Sequence, residues 1–136
     1  MRAADGGSLD ADRALVTMSS VLYDAVLVAG GRDSVEALAG NGEAVHYAAE
    51  AFKHAKPVAA LGEGIDLLQR ASLPDVRLAG DGDSEVVSEA GVVTVARPQA
   101  PGGDGAGDGL HAFASALVDA VAAHRHFERR LEAVPA

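Results

Sequence analysis

Lys56-Pro57-Val58-Ala59-Ala60-Leu61-Gly62-Glu63-Gly64-Ile65 constrains the fold more than any other stretch. A short apolar run opens at Pro57, is too brief for a helix, and stops at two glycines. Helix-period residues Ile65-Asp66-Leu67-Leu68 follow at once. This pattern is that of a buried parallel strand turning sharply into a helix. In open α/β sheets such a turn lies at the carboxyl edge of the strands, where ligands and nucleophiles collect. The tip here is Gly62, which has no side chain to react.

The flanking segments repeat the alternation. Ala25-Val26-Leu27-Val28-Ala29 reads as a fully buried strand ended by Gly30-Gly31. Asp33 with Glu36 three residues on has capping-box spacing, and Gly40 stops that short helix. Residues 43–55 form an amphipathic helix with Val45, Ala48, Phe52 and Ala55 on one stripe. A helix over 64–71 ends before Pro74. Val76-Arg77-Leu78 and Val92-Val93-Thr94-Val95 are further strand candidates, separated by the acidic turn Asp81-Gly82-Asp83. Asp108 caps a last helix whose buried stripe is Leu110, Phe113, Leu117, Val121 and His124, with Arg125, Arg129 and Arg130 toward its C-terminal end. Alternating strands and helices predict an α/β domain, a parallel sheet covered on both faces. Residues 1–20 are an irregular lead-in in which Leu15-Val16-Thr17 could be a short edge strand. Residues 98–109 hold seven Pro and Gly and are expected to be a flexible surface loop.

With 136 residues the chain suits one domain, 1–136, with one core. Its net charge of −9 speaks against a grip on nucleic-acid phosphates. The absence of cysteine removes thiol mechanisms and suits a reducing compartment. No apolar run approaches the ~20 residues that cross a bilayer, so no membrane partner and a cytoplasmic location are expected.

Each motif has a plain reading beside the chemical one. Gly62-Glu63-Gly64 could open a dinucleotide fingerprint, but Leu67 stands where its third glycine belongs. A nucleophile elbow needs Ser, Cys or Thr at the apex, which Gly62 and Glu63 do not supply. Glu63 could act as a carboxylate base, or simply favour the start of a helix. Gly30 and Gly31 could present N–H donors to an oxyanion, or merely make a tight turn. His124 and His126, at i and i+2 on a helix, point to different faces and make a poor metal pair; His124 continues the core stripe and His126 meets solvent. Asp81, Asp83 and Glu85 begin like a calcium loop, but Val92 occupies the position of its closing Glu. No catalytic, cofactor or metal residue is therefore assigned.

Three blocks in order carry a resemblance. Ser20-Val21-Leu22-Tyr23-Asp24-Ala25-Val26-Leu27-Val28-Ala29-Gly30-Gly31, then Phe52-Lys53-His54-Ala55-Lys56-Pro57-Val58-Ala59-Ala60 running into Gly62-Glu63-Gly64, then Ala122-Ala123-His124-Arg125-His126-Phe127-Glu128-Arg129, resemble the C-terminal domain of large-subunit haem catalases across roughly residues 9–130. The resemblance implies a flavodoxin-like three-layer sandwich of the PfpI-like, class I glutamine-amidotransferase-like superfamily. Active members carry Cys at the elbow, so Gly62, Glu63 and Gly64 are a vestigial elbow, and Gly30 and Gly31 a former oxyanion-type turn. It further implies a domain without chemistry of its own that stabilises a tetrameric enzyme of hydrogen peroxide disproportionation. Haem belongs to a catalase barrel that this sequence lacks. The domain's usual first strand-helix-strand is missing too, which should leave the strand at 25–29 with a bare edge for a partner, either a catalase body or a second copy. The rival expectation is a stand-alone PfpI-like chaperone or hydrolase with a non-cysteine site near Gly30, Gly31 and Glu63.

Overall fold

A computed structural model describes residues 6–83, 85–98 and 108–134, the side chain of residue 108 excepted. Strand β1 (Val26–Val28) leads into α1 (Arg32–Ala39) and α2 (Gly42–Lys53). Next come β2 (Val58–Leu61), α3 (Gly64–Ala71), β3 (Val87–Glu89), β4 (Val92–Val95) and α4 (Asp108–Ala122). The sheet order is β1-β2-β4-β3, parallel from β1 through β2 to β4, with β3 antiparallel at the far edge. This is the α/β sandwich that the sequence pattern predicts.

Period-2 alternation sorts the strand residues onto two faces. Val28, Val58, Ala60 and Val92 meet Phe52, Leu68 and Ile65 of the α1–α3 layer. Ala59, Val93 and Val95 meet Phe113, Leu117 and Ala120 of α4. Small strand residues let both layers approach closely, which is how a core with three Phe and no Trp closes.

Several expectations need correction. Leu15–Thr17 is a single 3-10 turn, not an edge strand. Asp33 lies inside the first turn of α1, whose N-cap is Gly31 at φ +118°, so the capping box does not form. Asn41 is the N-cap of α2, its side-chain oxygen accepting the Glu43 N–H at 2.9 Å. No strand forms at 76–78, because the Arg77 N–H donates to the Glu89 carboxylate at 2.7 Å. The Ala79 N–H likewise donates to the buried Thr94 hydroxyl at 2.9 Å. The strand that does form, β3, is a hairpin partner of β4 through Ala90 and Gly91, at φ +48° and +72°. Two positive-φ residues in a two-residue loop have the twist that hairpins prefer.

The C-terminal segment departs most. α4 ends at Ala122, and His124 takes φ +66° and turns outward instead of continuing a buried stripe. Leu110 and Val121 are also exposed. His126 is the buried histidine: its backbone N–H donates to the Ala55 carbonyl at 3.0 Å and its ring Nε2 lies 3.1 Å from the Ala120 carbonyl. Arg129 folds under the domain, donating to the Ala90 and Phe52 carbonyls at 2.7 Å each. Burial pulls its guanidinium down to about 10, which leaves a cation at neutral pH. β1 is not fully buried: Leu27 is 50% exposed, because the strand lies at an edge. The expected cap side chain of Asp108 and the loop at 99–107 lie outside the described residues.

Candidate functional site

The elbow is built as its residues dictate. Gly62 leaves β2 at φ +53°, its N–H bonded to the Val95 carbonyl at 2.8 Å. Its carbonyl accepts the Ile65 N–H at 3.1 Å, closing the turn into α3. Gly64 is the first residue of α3, and a Cβ there would stand 2.6 Å from the Val28 carbonyl oxygen. Glycine alone lets α3 start against β1. The turn is tight, and its tip carries only hydrogen.

Glu63 meets the other glycine turn. Its Oε2 accepts the Gly31 N–H at 3.1 Å, joining two turns 32 residues apart in sequence. Gly30 packs into the same corner, where a Cβ would lie 3.1 Å from the Leu61 carbonyl and 3.2 Å from Glu63 Oε2. The donor that could have served an oxyanion is thus held by the chain's own carboxylate. Two backbone hydrogen bonds, its own N–H first and that of Gly31 second, hold the Glu63 carboxyl below its ordinary value, and Arg32 adds to them. Partial desolvation opposes this more weakly. A carboxylate kept ionised in this way is a poor proton acceptor near neutral pH. It is better described as a strut between the start of α1 and the start of α3.

A cleft of about 740 Å³ opens over these turns at the carboxyl edge of β1, β2 and β4. Glu63, Asp66, Asp81, Arg32 and Arg97 border it, so its charge is mixed. No group of three or more His, Asp or Glu among the described residues is placed to hold a metal ion. His124 and His126 do not converge: one is exposed and the other bonded to backbone.

Haem does not fit these surroundings. The cleft offers no Tyr, His, Cys or Met as an axial ligand. The groove between the lead-in and α2 contains His46 and Tyr47. There burial, seconded by Tyr23, pushes the Tyr47 phenol up, against the phenolate that would bind iron.

Replacing Glu63 with Gln tests the strut. A carboxyl depressed in the fold contributes stability that is present above the unfolded value of about 4.3 and lost as pH falls through the folded value. Glu63→Gln should therefore cost under about 1 kcal/mol near neutral pH. The gap to the parent should close in acid. Parallel urea titrations at several pH values check this, and a gap that persists below the folded carboxyl value contradicts it.

Comparison with known proteins places the sequence in a family. A family model described as the C-terminal domain found in long catalases matches residues 3–130. Catalase HPII of Mycobacterium avium is 47% identical over 132 residues, 96% of this chain but 17% of that protein. Catalase-2 of Bacillus subtilis is 37% identical over 131 residues, again 96% of this chain and 16% of the relative. Catalase-1 of Neurospora crassa is 33% identical over 134 residues, 96% and 18% respectively. The chain thus spans under a fifth of the length of these relatives, and the match covers both glycine turns and the buried His126–Arg129 segment. The chain belongs to the family of C-terminal domains found in long catalases.

Proposed function

We propose that the chain is a structural module that stabilises a catalase by packing against it, with no catalysis of its own. The carrying observation is the corner at Gly31 and Glu63. The apex side chain is hydrogen, and the donor beside it is already bonded to the Glu63 carboxylate. A PfpI-like ancestry explains why an elbow without a nucleophile is kept: the turn still holds β2, α3 and α1 together. Residues 1–136 act as one such domain, and haem and peroxide chemistry reside in the rest of a catalase. The partner is that catalase body or a second copy of the module, within a tetramer as implied by the family. The charge of −9 disfavours nucleic acid. No helix among the described residues is long and apolar enough to cross a membrane. With no cysteine to lose, the cytoplasm is a suitable location.

Two measurements test this reading. The isolated chain should release no oxygen from hydrogen peroxide, and should hydrolyse neither peptide nor ester substrates. Fused to a haem catalase body from which the native C-terminal domain has been removed, it should raise the temperature at which activity is lost. Turnover by the isolated, haem-free chain, or a fusion no more durable than the bare body, overturns it.

A further inference from the structure

The cations of this acidic chain collect at one pole. Lys53 ends α2 and Lys56 follows it, while Arg125, Arg129 and Arg130 lie on the segment after α4. The two segments meet: the His126 backbone N–H donates to the Ala55 carbonyl at 3.0 Å, and Arg129 Nη1 to the Phe52 carbonyl at 2.7 Å. Five of the eleven basic residues thus share one end of a chain of net charge −9, where residues 52–56 and 123–130 supply a single acid, Glu128. Lys53 is matched by Glu50, and Arg130 by Asp75 and Glu132. Lys56, Arg125 and Arg129 have no carboxylate within ion-pair reach among the described residues.

Lys56 is the most telling of these. It is 5% exposed, and no described residue accepts a hydrogen bond from its ammonium. Its backbone N–H returns to the Ala51 carbonyl, and the Ala55 N–H to that of Phe52, which closes α2 in a left-handed turn and fixes where Lys56 stands. The stem is covered, yet the Nζ, unlike Arg129 Nη2, is not cut off from solvent. The last carbonyls of α2 favour a cation there by about 0.3–1 kcal/mol, but none of them is its partner. A charge taken this far out of water is ordinarily paired. On the other side of the His126–Ala55 bond, one residue along, Phe127 is 77% exposed. Its neighbours are held, His126 by Ala55 and Arg129 by the Ala90 and Phe52 carbonyls. An aromatic ring on a fixed backbone, beside an unpaired cation, has the make-up of a preorganised interface hot spot.

We propose that this pole is the docking face of the module, and that the catalase body presents a carboxylate to Lys56 and an apolar recess to the Phe127 ring. This deepens the packing reading above and rests on it. Charge selects the partner. A carboxylate forms a charge-assisted hydrogen bond with an ammonium that has already lost most of its water, so little further desolvation of the lysine opposes it. Two copies of this pole cannot face each other about a two-fold axis without setting like charges together. A second copy docked by another, acidic surface is an outcome of the test.

The fusion of this chain to a haem catalase body without its own C-terminal domain provides the complex. A water-soluble carbodiimide joins an amine to a carboxylate that it touches, forming an amide as the activated oxygen leaves in the urea. Lys53 and Lys56 are the only lysines of the chain, so the joined peptides identify the contact. Lys56 should be found joined to an acidic peptide of the body. Lys56→Met keeps the stem and removes the charge, and Phe127→Ala changes an exposed ring. Each should forfeit most of the rise in the temperature at which the fusion loses activity, yet leave the denaturant midpoint of the isolated chain no lower. Added salt should erode the rise of the parent fusion and spare what remains in Lys56→Met. Durability indifferent to both substitutions, an isolated-chain midpoint that falls in step with it, or Lys56 joined only within the module, only to a second copy or to nothing overturns the docking face. Each of these leaves the structural-module reading standing, whereas a fusion no more durable than the bare body sinks both.

Discussion

Phe52→Ala is expected to lower the stability of the fold by about 3–5 kcal/mol, enough to unfold many domains of this size. Phe52 is fully buried on α2, against the strand residues of the larger core cluster. Removing the ring leaves a cavity in a cluster rich in Ala and Val, whose short side chains cannot reach across it. A second loss adds to the first. The Arg129 guanidinium carbon stands 4.2 Å from the ring centroid, and the same guanidinium donates to the Phe52 carbonyl. Its buried Nη2 has no hydrogen-bond partner among the described residues. A desolvated cation over a ring contributes about 2 kcal/mol. Phe52→Leu separates the contributions, since it restores much of the volume but no π face. Denaturant midpoints for the parent, Phe52→Leu and Phe52→Ala should fall in that order. If Phe52→Ala costs less than about 1.5 kcal/mol, α2 does not anchor the C-terminal segment as described.

That segment marks where sequence reasoning stops. The strand at 58–61, its glycine exit and the following helix were legible because each obeys a local rule: apolar run, then positive-φ turn, then helical period. That the tip of this turn carries no side chain is legible for the same reason, since Gly62 is read straight from the sequence. The role of Glu63 was not. Its carboxylate is satisfied by Gly31, and no periodicity links residues 32 positions apart. The histidines trade places for an equally physical reason. Neither Gly nor Pro interrupts the helical stripe after Ala122, yet His124 turns left-handed and the chain reverses. His126 is then driven onto the Ala55 carbonyl, above Gly91, where any Cβ would enter its ring. The hairpin at β3 did leave a signal, a two-residue Ala90-Gly91 turn before a β-branched run. It lacks the Asn-Gly or Asp-Gly that makes such turns obvious.

Gly64→Ala sets two effects against each other, and their sizes decide the sign. Inside a helix, Ala is preferred to Gly by about 1 kcal/mol, so on propensity alone the change should stabilise α3. The contact geometry says otherwise. The added methyl would stand 2.6 Å from the Val28 carbonyl oxygen and 3.1 Å from that of Ala29, both backbone atoms of β1. No rotamer relieves a clash with backbone, so α3 must move away from β1 or β1 must bend outward. Such forced shifts typically cost about 1–3 kcal/mol, and they exceed the helical preference. The disturbance does not stay local, because Glu63 precedes Gly64 and carries the bond to Gly31; moving α3 lengthens the strut and loosens the start of α1. Gly64→Ala should therefore destabilise the domain by about 1–2 kcal/mol net. It should also speed hydrogen exchange at the Gly31 amide. Gly62→Ala, whose Cβ would meet only the Ala96 carbonyl at an ordinary 3.8 Å but on a left-handed backbone, should cost only about 1 kcal/mol and leave that amide protected. The pair isolates close approach from backbone strain. If alanine at position 64 is neutral or stabilising, the near contact of α3 with β1, and with it the idea that the elbow is kept for packing, is wrong.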